Sequence, residues 1–223
     1  ESFPPIEFRL ATTRGTNALL ERKGTAGVLL VTQGFEDLLR IRDQRRPELF
    51  ALQQALPLPV FERTIGVRER VGAEGEILEA LDEASLGSTL SGLRRDGVSV
   101  VAVALLNSYA NPVHEERIGE LLKEAGIAHV SISTRLTRRV RLLPRAETAA
   151  ANAYLSPVMD RFVEAVSSRL AGGTLELMTS AGFLKRAEDY RAVDSLLSGP
   201  AGGVVGALAA AECAGNVPPK IAA

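Results

Sequence analysis

The sequence predicts an α/β fold in which a layered, mixed and largely parallel sheet is flanked by helices. The apolar run GVLLVT at 27–32 is typical of a strand that is buried on both faces, and VSVVAVALL at 98–106 is the strongest strand signal in the chain. These runs alternate with segments of helical periodicity, of which 111–126 is the clearest. Short strands that alternate with helices of about 10–15 residues favour a parallel sheet built from βαβ units.

The first part of the chain already shows this alternation. Gly24 closes the first helix, and the turn between Gly72 and Gly75 suits a hairpin between two more exposed strands. The predicted elements are a strand at 6–13, a helix at 16–23, a strand at 27–32, a helix at 35–42, and a more exposed strand from Ile65 to Val71 that pairs with 75–82.

The second part continues the alternation with longer helices. Asn111 suits the N-cap of the helix at 111–126, and Pro112 suits its first turn. Ser156–Pro157 predicts a kink or a fresh helix start within an alanine-rich helix. The predicted elements are a helix at 84–96, strands at 98–106 and 127–133, a helix at 145–171, a strand at 174–180, a loop with a short helix at 181–193, and a helix from Pro200 through Ala214.

The composition excludes several classes of function. A net charge of −1, from 26 basic and 27 acidic residues, indicates neither a nucleic-acid nor a membrane partner. The single cysteine, Cys213, excludes an internal disulfide and a cysteine-rich metal site. His114 and His129 are interpreted as ordinary structural or surface residues, because no second histidine completes an HExxH helix. We therefore expect a cytoplasmic protein with no metal ligands of its own.

Two strongly charged stretches are interpreted as solvated surface. The helix at 111–126 carries carboxylates that we expect on its polar face: Glu115, Glu116, Glu120 and Glu124. The segment 135–145 holds five arginines in eleven residues. It could form a phosphate or nucleic-acid patch, a solvated loop or an interface. Because no aromatic residue stands near it and the chain is nearly neutral, we favour the solvated loop or the interface.

The first candidate site lies at a strand-to-helix junction, in the segment TTRGTN at 12–17. Ligands of open α/β sheets bind outside the carboxyl ends of the strands, which is where this segment is expected. Its hydroxyls, amide and arginine could hold an anionic or amide-bearing ligand beside the helix N-terminus. Alternatively Thr16 or Asn17 caps the helix and Gly15 lets the chain turn, and the residues alone favour this capping interpretation.

The second candidate site is the glycine-rich helix start SGPAGGVVGA at 198–207. Its G-x-x-G-G-x-x-G spacing fits neither the dinucleotide nor the triphosphate motif. Small residues at three- and four-residue spacing, including Gly199, Gly203 and Gly206, instead predict a smooth stripe against which another backbone packs. No G-x-S-x-G nucleophile elbow occurs in the sequence, so no catalytic residue is assigned.

Several motifs in this chain resemble the hydantoinase A/5-oxoprolinase family. They occur in the order that the family shows and span nearly the whole chain. The most specific two are TTRGTNALLERKG at 12–24 and LLSGPAGGVVGA at 196–207. The others are VTQGFEDLLRIRDQRRPELF at 31–50, NAYLSPVM at 152–159 and TSAG at 179–182. Phe183 stands where a second glycine is common in the family.

The resemblance implies an actin-like ATPase lobe with a ribonuclease H-like fold. It divides the chain into an N-terminal family region at 1–143 and the start of the hydantoinase A domain at 144–223, with 199–214 as the helix that connects the lobes. The implied activity is ATP-dependent opening of cyclic amides of the hydantoin or 5-oxoproline type, with ATP and Mg as cofactors of the full-length protein. The implied substrate and nucleotide cleft is lined by Thr12, Thr13, Thr16, Asn17, Ser198, Gly199, Gly202 and Gly203.

The resemblance also implies that the two phosphate loops of the family lie outside these 223 residues. We therefore expect this fragment alone to be inactive and to bind no ATP tightly. The expected partners are the cyclic amide, the rest of the protein's own chain and a hydantoinase B-like subunit. Two alternatives stay open, a subunit fragment of an acetone- or acetophenone-type carboxylase and a non-catalytic binding module.

Overall fold

The computed structural model describes residues 6–44, 50, 52, 58–170 and 172–213. The strands are β1 (Glu7–Leu10), β2 (Val28–Thr32), β3 (Arg63–Val67), β4 (Arg70–Val71), β5 (Ile77–Glu79), β6 (Val100–Ala104), β7 (His129–Ile132), β8 (Thr174–Met178) and β9 (Leu184–Arg186). The helices are α1 (Arg14–Leu20), α2 (Leu38–Ile41), α3 (Glu83–Arg95), α4 (Val113–Glu124), α5 (Ser133–Leu136), α6 (Leu142–Ser167) and α7 (Ser198–Cys213).

The chain folds into two compact units. Residues 25–154 form one, called here the central unit, and residues 1–24 with 155–223 form the other, called the terminal unit. The boundary at Tyr154–Leu155 falls inside α6.

The central unit contains a four-stranded sheet in the order β3-β2-β6-β7, and all its neighbouring strands are parallel. The two inner strands, β2 and β6, are buried at every residue. Strands covered on both faces read as continuous apolar runs, which is why the sequence predicted these two correctly. The predicted hairpin is confirmed only beside its turn, where β4 and β5 pair antiparallel across Gly72–Gly75. The residues before it, predicted as part of the same strand, form β3 and pair parallel with β2 instead.

Helices α3 and α4 bury their apolar residues in the core of the central unit, as their periodicity predicted. Helix α3 buries Leu86, Leu90 and Leu93, and α4 adds Ile118 and Leu122. The Asp82 side chain caps α3 by accepting from the Ser85 N–H at 3.0 Å.

The predicted cap of α4 lies one residue too early. Pro112 is the N-cap residue, and the Asn111 amide oxygen accepts from the Val113 N–H at 3.2 Å. The short α5, which directly follows β7, was not predicted.

The terminal unit contains a three-stranded sheet in the order β1-β8-β9, in which β1 and β8 are parallel and β8 and β9 antiparallel. The strand predicted at 174–180 is confirmed as β8. The segment 181–193 was predicted as a loop with a short helix. It forms β9 and is followed by two single-turn 3₁₀ helices at Ala187–Asp189 and Ala192–Ser195.

Helix α6 runs without a break from Leu142 to Ser167 and contains Pro157 in its interior. The fresh helix start predicted at Ser156–Pro157 was therefore wrong. A proline removes a single backbone hydrogen bond and costs a helix interior about 3 kcal/mol. The helix buries alanines completely along one face before this point, and that packing favours its continuation.

Helix α7 begins at Ser198, two residues before the predicted start, and is described as far as Cys213. Its predicted end at Ala214 lies outside the described residues. None of the helices in the described part of the chain combines the length and apolarity that a membrane crossing needs.

Candidate functional site

Both segments singled out in the sequence lie at one edge of the terminal unit's sheet. Strands β1 and β8 are parallel and in register at Leu10 and Leu177, so their carboxyl ends share an edge. The 11–13 segment follows β1 at this edge, and the 179–183 segment follows β8. Carboxyl ends of parallel strands are where open α/β sheets bind ligands. We refer to this edge, with residues 11–17, 179–183 and 197–203, as the carboxyl-edge site.

Two hydrogen bonds join the segments, which are about 180 residues apart in the chain. The buried Ser198 hydroxyl donates to the Thr12 carbonyl oxygen at 2.9 Å. The Leu197 N–H donates to Thr16 Oγ1 at 3.0 Å. Because both bonds cross between the segments, the structure brings together the residues that the sequence named separately.

The start of α1 differs from the capping that the sequence predicted. The helix begins at Arg14, and the Arg14 N–H donates to Thr12 Oγ1 at 3.1 Å. Thr16 and Asn17 lie within the helix, so the interpretation of either residue as its cap was wrong. Thr13 occupies the N-cap position, and its exposed hydroxyl accepts a long hydrogen bond of 3.5 Å from the Asn17 amide.

The glycines of α7 divide into two groups. A Cβ at Gly199 would lie 3.2 Å from Thr13 Cγ2, and one at Gly202 would lie 3.4 Å from Ala11 Cβ. The neighbour at Gly199 is a side-chain methyl and not the backbone that was predicted to pack on the small-residue stripe. At Gly203 and Gly206 no described atom outside the helix backbone lies within 4 Å of such a Cβ, so the packing predicted there stays a prediction.

The TSAG segment forms a tight turn at the same edge. Thr179 donates to the Phe183 carbonyl oxygen from its backbone N–H and from its hydroxyl, both at 2.9 Å. Gly182 has φ +82°, a backbone conformation that residues with a Cβ adopt rarely. The Phe183 side chain is half exposed beside this turn. The motif contributed only to the family resemblance, and none of its residues was predicted to belong to a site.

Tyr190 is a residue of this edge that sequence reasoning missed. Its hydroxyl donates to the carbonyl oxygen of Met178, the last residue of β8, at 3.0 Å. Burial raises the pKa of this phenol to about 12, while the Ser198 hydroxyl opposes the rise. A lone tyrosine outside any motif carries no signal in a single sequence, because only the fold places it beside Ser198.

A buried polar cluster in the central unit corrects two further interpretations. Glu115, predicted as solvated, is completely buried, and so is Arg145 of the arginine-rich segment. The Glu115 carboxylate accepts hydrogen bonds from the hydroxyls of Ser108 and Ser133 at 2.8 and 2.7 Å, and two more from Thr134. The Arg145 guanidinium donates to the same two serine hydroxyls and lies 3.4 Å from the Glu115 carboxylate.

His114 is also buried, where either a structural or a surface position was expected. Its Nδ1 lies 2.7 Å from the buried carboxylate of Glu69, which in turn accepts a short hydrogen bond from the Thr32 hydroxyl. Both polar clusters lie just beyond the carboxyl ends of the parallel strands. Glutamate and arginine are almost never fully buried unless paired, so a solvated position was the reasonable expectation from the sequence.

The bond between Thr16 and Leu197 supports a first prediction. Leu197 has φ +59°, which is unfavourable for a residue with a Cβ, and the Thr16 hydroxyl satisfies its N–H. We expect Thr16→Val to destabilise this junction by about 1 kcal/mol and to speed exchange of the Leu197 amide, measured by hydrogen–deuterium exchange.

Thr89→Val is the matched control, because the hydrogen bond of the Thr89 hydroxyl among the described residues goes to the Ser85 carbonyl oxygen within α3. Its replacement should leave the Leu197 amide unchanged. Equal exchange of that amide in wild type and Thr16→Val would show that the hydrogen bond does not hold the junction.

Two family models match the chain. The model of the hydantoinase/oxoprolinase N-terminal region matches residues 6–126, and the hydantoinase/oxoprolinase model matches residues 145–218. Among curated proteins, 5-oxoprolinase 1 of Arabidopsis thaliana is 40% identical over 222 residues, which cover 89% of this chain and 18% of that protein. The chain therefore spans less than a fifth of the length of this relative.

Two solved structures share the fold. The ATP-dependent caprolactamase from Pseudomonas jessenii matches with a TM-score of 0.78 and 29% identity, over 92% of this chain and 31% of that one. The nucleotide-free structure of an acetone carboxylase matches with a TM-score of 0.80 and 23% identity, over 93% and 32%. The mixed α/β fold of the actin-like ATPase type that the sequence predicted is confirmed.

Proposed function

This chain belongs to the hydantoinase/oxoprolinase family, and from that premise we propose that it is part of an ATP-dependent hydrolase that opens cyclic amides of the hydantoin or 5-oxoproline type. The observation that carries the proposal is the 40% identity to a 5-oxoprolinase across 89% of the chain. The match to an ATP-dependent caprolactamase supports the same class of reaction, since a lactam is also a cyclic amide.

We assign the carboxyl-edge site to this reaction. ATP, when bound, supplies a phosphoryl group that activates the amide carbonyl oxygen, so that water attacks the carbonyl carbon. The chain's own contribution is to shape one wall of the cleft with the eight residues named from the sequence. They fall into residues that hold the two segments together and residues whose polar groups remain open to a ligand.

Thr12, Thr16 and Ser198 belong to the holding group, because the hydrogen bonds described above already engage them. Thr13, Asn17 and Gly203 are exposed at the same edge, and Gly199 and Gly202 are half-buried. Exposed hydroxyl and amide groups beside the N-terminus of a 16-residue helix fit an anionic or hydroxyl-bearing group such as a nucleotide.

Magnesium is assigned to the complete protein together with the nucleotide. The described residues contain no group of three or more His, Cys, Asp or Glu side chains arranged to hold a metal ion. We therefore propose no metal ligand among them.

The remaining assignments follow the family. We propose that 1–143 and 144–223 are successive family regions, and that 199–214 connects the lobes of the complete protein. We further propose a hydantoinase B-like subunit as partner. We also propose a cytoplasmic location, which the single cysteine and the near-neutral charge support.

The proposal is tested on the complete gene product with Mg-ATP and a panel of 5-oxoproline, hydantoin and caprolactam. We expect phosphate release that depends on one of these rings and matches the amount of ring opened, measured by coupled phosphate detection and mass spectrometry. Phosphate release that instead requires a ketone and bicarbonate would identify a carboxylase subunit. Absence of any ATP-dependent turnover, with a folded protein and its co-purified partner present, would favour a binding module.

A further inference from the structure

We propose that Tyr190 is a positioning residue of the carboxyl-edge site, and that it holds the first turn of α7 in place through Met178. The inference deepens the proposed function and rests on it, because it concerns the same site. It assigns a role to a side chain that carries no sequence motif.

The first contact of Tyr190 is with the last residue of β8. The Tyr190 hydroxyl donates to the Met178 carbonyl oxygen at 3.0 Å. The Met178 side chain in turn lies against α7, since a Cβ at Gly202 would be 3.5 Å from Met178 Cγ. A hydrogen bond that fixes Met178 therefore also fixes the surface on which α7 rests.

The second contact is with Ser198, the first residue of α7. The Ser198 hydroxyl lies near the Tyr190 hydroxyl, but it donates its proton to the Thr12 carbonyl oxygen. Burial raises the pKa of Tyr190 to about 12, and the charge of Asp194 raises it further against the effect of Ser198. A tyrosine with its ordinary pKa of 10.0 is already protonated at neutral pH, so the phenol has a proton to donate to the Met178 carbonyl oxygen.

The loop that carries Tyr190 is itself tied to the sheet edge. Asp194 pairs with Lys185 of β9 at 2.7 Å, and its carboxylate also accepts from the Arg191 N–H at 3.3 Å. The Asp194 carbonyl oxygen accepts from the Ser180 N–H at 2.9 Å, within the turn that follows β8. These three bonds hold residues 185–194, and with them Tyr190, at the edge of the sheet.

The arrangement makes Tyr190 a positioning residue and not a catalytic one. Its hydroxyl proton is already donated to Met178, and its side chain is partly buried behind the site. Removing the hydroxyl should therefore loosen the start of α7 while leaving every exposed polar group of the site in the protein.

Tyr190→Phe in the complete gene product tests the proposal directly, because it removes only the hydroxyl. We expect backbone amides at 197–203 to exchange about threefold to tenfold faster, the ratio that corresponds to losing one hydrogen bond. Tyr109→Phe is the control, since no hydrogen bond to the Tyr109 hydroxyl is found among the described residues. Unchanged exchange at 197–203 in Tyr190→Phe would overturn the proposal.

A double-mutant cycle with Ser198→Ala separates positioning from general loosening. If Tyr190 and Ser198 hold the same first turn of α7, the two substitutions together change exchange at 197–203 less than the product of their single effects. If the two single effects on exchange simply multiply in the double variant, the residues act independently and the proposal is contradicted.

In the active protein, Tyr190→Phe should raise the KM for ATP about threefold to tenfold and change kcat less than twofold. An unchanged KM with a lowered kcat would contradict positioning. A wild-type protein without ATP-dependent turnover would refute the proposed function, and the exchange experiment would still decide the role of Tyr190.

Discussion

Arg145→Ala is expected to lower the free energy of unfolding of the central unit by about 3–5 kcal/mol, the largest effect among the substitutions considered. The substitution removes the guanidinium that lies 3.4 Å from the buried Glu115 carboxylate. It also leaves the Leu105 carbonyl oxygen without the hydrogen bond of 2.7 Å that Arg145 donates to it. An uncompensated buried charge is more costly than the loss of a whole ion pair.

Unfolding in urea, monitored by hydrogen exchange of the β6 and β7 amides, measures this effect. Both strands end at the polar cluster of Glu115 and Arg145. Arg141→Ala is the control from the same arginine-rich segment, since Arg141 is exposed. Its effect should stay within about 0.5 kcal/mol. A similar loss for both variants would mean that Arg145 contributes only surface charge.

Gly15→Ala is expected to destabilise the terminal unit by about 1–3 kcal/mol, although alanine is the better helix former. Gly15 is buried in α1, and an added Cβ would overlap the Ser195 hydroxyl and lie 3.0 Å from Ser195 Cβ. Ser195 is itself completely buried and donates to the Ala192 carbonyl oxygen at 2.6 Å, so it has little room to move. The methyl group must therefore displace the segment that leads into α7.

Gly87→Ala in α3 provides the opposite result as a control. No described atom lies within 4 Å of a Cβ at Gly87, so alanine there should stabilise by about 1 kcal/mol through helix propensity alone. Thermal unfolding of both variants compares the two effects. Stabilisation by both substitutions would refute the close packing of Gly15 against Ser195.

Much of the fold could be predicted because it depends on local pattern. The continuous apolar runs of β2 and β6 reflect burial on both faces, and the leucine spacing of α3 reflects burial on one. The start of α1 and the continuity of α6 through Pro157 could not be predicted in the same way. There the neighbouring packing outweighs the local preference for a cap or a break.

The buried charges show a second limit of the sequence. Glu115 and Glu116 are adjacent acidic residues in one helix, yet Glu115 is completely buried and Glu116 pairs with Arg135 at the surface. Arg145 likewise differs from Arg141 only in what the fold places around it. A charge pattern records which residues are ionic, whereas the partners that make burial tolerable come from distant parts of the chain.

The sequence by itself determined the family, the α/β class and two of the three segments that form the carboxyl-edge site, because each depends on contiguous residues and their spacing. Only the tertiary structure decided that Ser198 bonds to Thr12, that Leu197 bonds to Thr16, and that Tyr190 bonds to Met178. The physical reason is the parallel pairing of β1 with β8, which brings the two ends of the described chain to one edge. Contacts of that kind depend on chain topology and leave no periodic trace in the sequence.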